Sequence, residues 1–163
     1  MKKMKKVLIA LDYDQSAEQV AEQGFSMAKA MGAEVVLLHV ITDLAYYAST
    51  EYSPIVGYTG YLDQNLMQFD TTEGLEKASL EFLDKFKKQL GDDSIQTVVK
   101  NGAFAKTILQ AATDLHADVI AIGTHSRKWL EDIVMGSVTQ EVLHRTTIPL
   151  FIIPTRKKDE SAK

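Results

Sequence analysis

The chain contains no cysteine. Disulfide staples, thiolate nucleophiles and thiol-rich metal sites are thereby excluded together, and a reducing compartment is in keeping with the composition. Positive charge is not in excess either, since 18 Lys and Arg stand against 22 Asp and Glu for a formal net charge of -4. The cations are scattered among the acids, so no basic face gathers nucleic-acid phosphates and no DNA or RNA partner is expected. Long hydrophobic runs are missing too. The lysine-rich opening leads into an apolar run at residues 7–11, but Asp12 ends it, too early for a signal sequence or a membrane span. A cytoplasmic protein without a membrane partner is expected. Two catalytic signatures are also absent, the Gly-x-Ser-x-Gly elbow and the GxxxxGK[ST] phosphate loop, so nothing points to a dedicated enzyme.

What is present suffices for one core: 163 residues, 45% of them hydrophobic. Residues 7–11 are short, apolar and flanked by charge, as a strand buried on both faces of a parallel sheet requires. Ser16 with Gln19 three residues on gives a capping-box pattern, and Ala17, Val20, Ala21, Gly24, Phe25 and Ala28 recur at helical spacing toward Gly32. A second strand follows at 34–41, completing a β-α-β unit. Between Thr42 and about Thr71 the periodicity gives way to Tyr, Ser, Thr and Gly with Pro54, an irregular excursion. Its tyrosines, Tyr46, Tyr47, Tyr52, Tyr58 and Tyr61, suit either packing over the sheet or a ligand or partner surface.

From about Thr72 to Leu90, Leu75, Ala78, Leu80, Phe82, Leu83 and Phe86 give a helix an apolar face, and Gly91 is placed to stop it. A strand at 95–99, a helix at 105–115, a strand at 119–122, a helix at 136–145 and a last strand at 149–153 complete the pattern. Strict alternation means an α/β fold: a doubly wound, Rossmann-like five-stranded parallel sheet with helices on both faces. It is expected as a single domain over residues 1–155, with a charged, frayed tail at 156–163. The last strand is continuously apolar yet belongs at a sheet edge, so a covering partner is expected, and a second copy of the chain would serve.

Ligands of open α/β sheets gather beyond the carboxyl ends of the strands. Those ends deliver Asp12 and Asp14, then His39, Val40 and Ile41, then Asn101 and Gly102, and finally Gly123, Thr124, His125, Ser126 and Arg127. After Ser126 and nine intervening residues come Gly136 and Ser137 at a helix start. Glycines admit an oxyanion close to backbone amides, and a helix amino terminus adds N–H groups and a favourable dipole. Composition alone leaves a second reading open, in which Gly123 only turns the chain and Ser137 caps a helix with Gln140 completing a capping box. Asp12 and Asp14 also suggest a receiver-type acidic pair, but the third strand ends in Lys100-Asn101-Gly102 without the carboxylate that reading needs. Asp12, His39 and His125 form a further, weaker set of metal ligands, without the short spacing such sites use; His116 and His144 read as surface positions.

The sequence resembles the universal stress protein family. The carrying residues are Gly123, Thr124-His125, Ser126, nine residues, then Gly136-Ser137-Val138, with 148–153 after them, and the match extends over residues 7–12, 34–40, 101–109 and 117–123. One substitution stands out: Ser126 occupies a position usually held by glycine. The resemblance implies a strand order of 3-2-1-4-5 and an adenine nucleotide (ATP, ADP or AMP, with or without magnesium) across the tips of strands one and four. It implies Ala10, Asp12 and Val40 beside the adenosine, Ile122 at the base, and Gly123, Gly136, Ser137 and Val138 at ribose and phosphates. Ser126 departs from a cradle that glycine completes, although its hydroxyl and the charge of neighbouring Arg127 supply alternative donors, and His125 is carried over as a further site residue. A homodimer through strand 149–153 is implied as well. The competing expectation is a stress protein that binds no nucleotide and works through its dimer and an unidentified protein partner.

Overall fold

The computed structural model describes residues 3–42, 72–124 and 136–155. Nine elements alternate along them: β1 (Lys6–Ala10), α1 (Ala17–Met31), β2 (Glu34–Ile41), α2 (Thr72–Leu90), β3 (Gln96–Asn101), α3 (Phe104–Asp114), β4 (Val119–Gly123), α4 (Ser137–Arg145) and β5 (Leu150–Ile153). The tyrosine-bearing excursion and the charged tail lie outside the described residues, as does Trp129, whose place in the nine-residue insert suggests an anchor for that loop.

All five strands form one parallel sheet in the order β3-β2-β1-β4-β5, as the resemblance implies. Parallel neighbours need crossovers, and covering the sheet with the crossover helices buries the central strands on both faces. Val7, Leu8 and Ile9 of β1 are completely buried. The odd-numbered β1 side chains pack with Ala17, Val20 and Ala21 of α1 and with Leu75, Phe82, Leu83 and Phe86 of α2. Leu8, with Val36, Leu38 and Ile120 beside it, faces the opposite layer, where Ala105, Ile108 and Ala112 of α3 and Val142 of α4 close the core.

Two local expectations are corrected. Ser16 makes no side-chain cap at the start of α1. Asp14 does that work: its Oδ1 accepts the Ser16 N–H at 2.8 Å and its carbonyl accepts the Ala17 N–H at 2.9 Å. The Gln19 amide donates instead to the Pro154 carbonyl at 2.9 Å. At the other end Gly32 takes the left-handed conformation, φ 65°, and the chain closes a double turn through its N–H and that of Ala33.

In α2 the buried positions are Leu75, Ser79, Phe82, Leu83 and Phe86, whereas Leu80 is 46% exposed. At about 100° per residue Leu80 lies roughly 140° from Leu75, off the inward stripe, while Ser79 falls on it. Ser79 is tolerated there because its hydroxyl pairs with Tyr13 at 2.8 Å.

Candidate nucleotide site at the carboxyl ends of β1 and β4

The sheet order reverses at β1, whose neighbours are β2 on one side and β4 on the other. Chains leaving β1 and β4 diverge to opposite layers, which opens a crevice at their carboxyl ends. Most of the expected site residues converge on it.

On the β1 side, Ala10 ends the strand opposite Leu38, and the next residue, Leu11, donates its N–H to the Leu38 carbonyl at 2.8 Å. The chain then turns: the Asp14 N–H donates to the Asp12 carbonyl and the Tyr13 N–H to Asp12 Oδ1, both at 2.8 Å. Asp12 is exposed at the tip of that turn, while its neighbours Leu11 and Tyr13 are each only 4% exposed. Burial pushes the Tyr13 phenol above its ordinary range; the Ser79 hydrogen bond opposes this, and Asp12 and Glu81 add to it. Val40, on β2, is 4% exposed and Ile122, on β4, 6%, and both side chains belong to the α3–α4 layer of the core.

On the β4 side the structure fastens two distant pieces of sequence together. The Gly136 N–H donates to the Thr124 carbonyl at 2.9 Å, and the Thr139 hydroxyl donates to the Gly123 carbonyl at 2.8 Å. Thr124 is anchored in turn by its N–H to the Ile153 carbonyl at 3.0 Å, and its Oγ1 accepts the Thr155 N–H at 3.1 Å. The start of α4 is thereby held against the tip of β4. His125, Ser126 and Arg127 lie outside the described residues, but the residues that bracket them meet.

Gly123 has a packing reason as well as any chemical one. A Cβ there would lie 2.8 Å from Val20 Cγ2 and 2.9 Å from Thr155 Cγ2, so only glycine lets α1 and the chain after β5 close over the strand. Gly136 is buried and is the residue that precedes α4; Gln140 donates its N–H to the Gly136 carbonyl at 2.9 Å, and Gly136 has no side chain with which to cap this end. The capping box drawn from Ser137 and Gln140 is thus not formed, because Ser137 is already the first helical residue. It is exposed, with Val138 half-buried behind it. Helix geometry gives the amides of Ser137, Val138 and Thr139 no intrahelical acceptor, and with the positive end of the helix dipole this terminus favours an anion, while His144 and Arg145 suit the opposite end.

The weaker candidates separate from this crevice. His39 is 1% exposed, inside the core, with Nδ1 donating to the Leu11 carbonyl at 2.8 Å. Among the described residues no three His, Asp or Glu side chains form a group able to hold a metal ion. His116 and His144 are exposed, His116 at φ 55° just after α3. An open cleft of about 400 Å³, lined by Lys100, Gly102, Lys106 and Asp114 among others, lies at the β3 edge of the sheet, two strands from the reversal. Two features were not anticipated from the sequence: Thr139 as the clamp on Gly123, and Tyr13 with Ser79 as a buried pair beneath the Asp12 turn. Their partners are 16 and 66 residues away respectively, so no local spacing announces them.

Among the described residues no helix is long and apolar enough to cross a membrane. Comparison with known proteins agrees with the architecture. A universal stress protein of Methanocaldococcus jannaschii is 26% identical over 153 residues, covering 91% of this chain and 94% of that protein. A universal stress protein solved in complex with cAMP superposes with a TM-score of 0.62 at 16% identity, over 95% of this chain and all of the other. A universal stress protein from Archaeoglobus fulgidus, solved in complex with dAMP, gives 0.59 at 16% identity, over 93% of this chain and 98% of the other. The family model of the universal stress proteins matches residues 3–154, and the chain belongs to that family.

Proposed function

We propose that this protein binds an adenine nucleotide at the carboxyl ends of β1 and β4 and acts through binding and release, as a sensor or switch in stress response. The observation that carries the reading is the fastening of α4 to the tip of β4, Gly136 to Thr124 and Thr139 to Gly123. On this reading the first amides of α4, which helix geometry leaves without an intrahelical acceptor, and the Ser137 hydroxyl offer a phosphate donors and a favourable dipole at the mouth of the crevice. The cAMP and dAMP complexes of the two related proteins support an adenine nucleotide as the ligand class.

On this reading Ala10, Asp12 and Val40 lie against the adenosine, the Asp12 carboxylate accepting from ribose hydroxyls, and Ile122 borders the base. Gly123, Gly136, Ser137 and Val138 hold ribose and phosphates, with His125, Ser126 and Arg127 contributing donors. Magnesium bound with the nucleotide would neutralise phosphate charge. Dedicated catalysis is not part of the proposal, and any ATP turnover is incidental. The functional unit is a cytoplasmic homodimer joined along β5.

The test is to purify the protein natively, extract any bound small molecule, and titrate AMP, ADP and ATP by calorimetry into wild type, Ser126→Gly and Ser137→Ala. Binding by wild type, weakened several-fold for ATP in Ser137→Ala, supports the proposal. Absence of binding in wild type and in Ser126→Gly at millimolar nucleotide sinks it and favours action through protein contacts. Binding by Ser126→Gly alone assigns the loss to the serine.

A further inference from the structure

Asp12 is exposed, yet both of its neighbours are fixed in the core, and the fixing groups come from two other elements. On one side the Leu11 carbonyl accepts from His39 Nδ1 at 2.8 Å, while the Leu11 N–H is taken by the Leu38 carbonyl. Because the acceptor is a carbonyl, Nδ1 must carry the proton, which fixes the tautomer of a ring that is 1% exposed. On the other side Tyr13 lays its ring against His39, centroids 4.3 Å apart and tilted 57°, and its hydroxyl pairs with Ser79 Oγ of α2 at 2.8 Å. Phe82 closes the cluster, 4.6 Å from Tyr13 and 5.7 Å from His39 between ring centroids.

We propose that His39, acting with Tyr13, is the positioning residue of the adenosine end of the site: it holds the Asp12 turn in one shape and ties that turn to Val40, its own neighbour on β2. The inference rests on the nucleotide reading above. Three consequences follow from the geometry. The hold acts at Leu11 and Tyr13, so removing it moves the carboxylate of Asp12 without touching the start of α4. The loss therefore falls equally on AMP and ATP, which share the adenosine. A side chain that keeps a donor at the Nδ1 position restores the hold, which a merely space-filling role does not predict.

The experiment compares wild type, His39→Leu, His39→Asn and Tyr13→Phe by three measurements: urea stability, amide hydrogen exchange at Tyr13 and Asp14 in the ligand-free protein, and calorimetric titration with AMP and with ATP. Asn presents an amide N–H near the place of Nδ1, whereas Leu fills space without donating. A lost buried hydrogen bond corresponds to about tenfold. The expectation is that His39→Leu speeds exchange at Tyr13 and Asp14 about tenfold beyond any change in the strand amides, and weakens AMP and ATP by the same factor. His39→Asn recovers most of both. Tyr13→Phe, which removes one hydroxyl and keeps the ring, shifts both readouts in the same direction and serves if His39→Leu does not fold. Equal behaviour of His39→Leu and His39→Asn, unchanged exchange in the turn, or loss of ATP with AMP retained overturns the positioning role while wild-type binding stands. A wild type that binds neither nucleotide overturns the functional reading and this role with it.

Discussion

At Gly123 two demands meet on one residue. Its carbonyl accepts from Thr139, and its missing side chain makes room for Val20 and Thr155. Adding a methyl forces α1 or the chain after β5 outward, so Gly123→Ala is expected to cost about 1–3 kcal/mol, read as a lower urea midpoint at unchanged slope. In the sequence Gly123 is legible as a strand-end glycine of the resemblance motif, open to a phosphate role or to a simple turn. Its packing role was not legible, since Val20 and Thr155 come from other parts of the chain. A second residue, Asp92, is expected to make stability depend on acid. Asp92 pairs with Lys29 at the end of α1 and accepts from Ser94, and the Lys29 bond first, then the Ser94 bonds, lower its carboxyl from its ordinary 3.8 to about 2. With the folded value below the unfolded one, this stabilisation is fully present above about pH 4 and is lost as pH falls through about 2. Urea stability of wild type should therefore fall over that window by more than that of Asp92→Asn; parallel curves would refute the linkage.

Among the elements, α4 shows most clearly how tertiary contacts override local signals. Residues 136–145 were legible as a helix from their spacing, and the observed bounds differ by one residue. The capping boxes were not, because a Ser or Thr three residues before Gln is compatible with other partners: Gln19 finds the Pro154 carbonyl, and Gly136 rather than Ser137 precedes α4. The inward stripe of α2 was legible except for the exchange of Leu80 for Ser79, which becomes intelligible only once Tyr13 is seen across from it. Beside the buried Val142 and the Gly136–Thr124 bond, Thr139, 3% exposed, ties α4 to the sheet through the Gly123 carbonyl. Thr139→Val keeps the shape and removes the hydroxyl, and is expected to lower stability by about 1 kcal/mol, with Thr139→Ser close to wild type. On the proposed reading Thr139→Val also weakens ATP more than AMP in calorimetry, because it loosens the phosphate end alone.

For the molecule as a whole, alternation of strands and helices identified the parallel sheet, and the resemblance supplied its order; the continuously apolar last strand then had to lie at an edge. The structure gives that edge a polarity of its own. Ile120 donates its N–H to the Pro149 carbonyl and Thr124 to the Ile153 carbonyl, so residues 149, 151 and 153 turn their backbone groups toward β4. By the alternation of a parallel ladder, Leu150 and Ile152 turn theirs toward the open edge, with side chains only half-buried. Among the described residues no strand pairs with this edge; an apolar edge is a template for another strand, and a second copy of β5 would satisfy the same two residues on each chain. Wild type is therefore expected to sediment at twice its 18.1 kDa. Ile152→Pro removes an outward N–H that β4 does not use, so it should leave the sheet folded by circular dichroism and yield a monomer. A variant that stays dimeric, or a wild type that is monomeric at micromolar concentration, would show that β5 is not the joining strand.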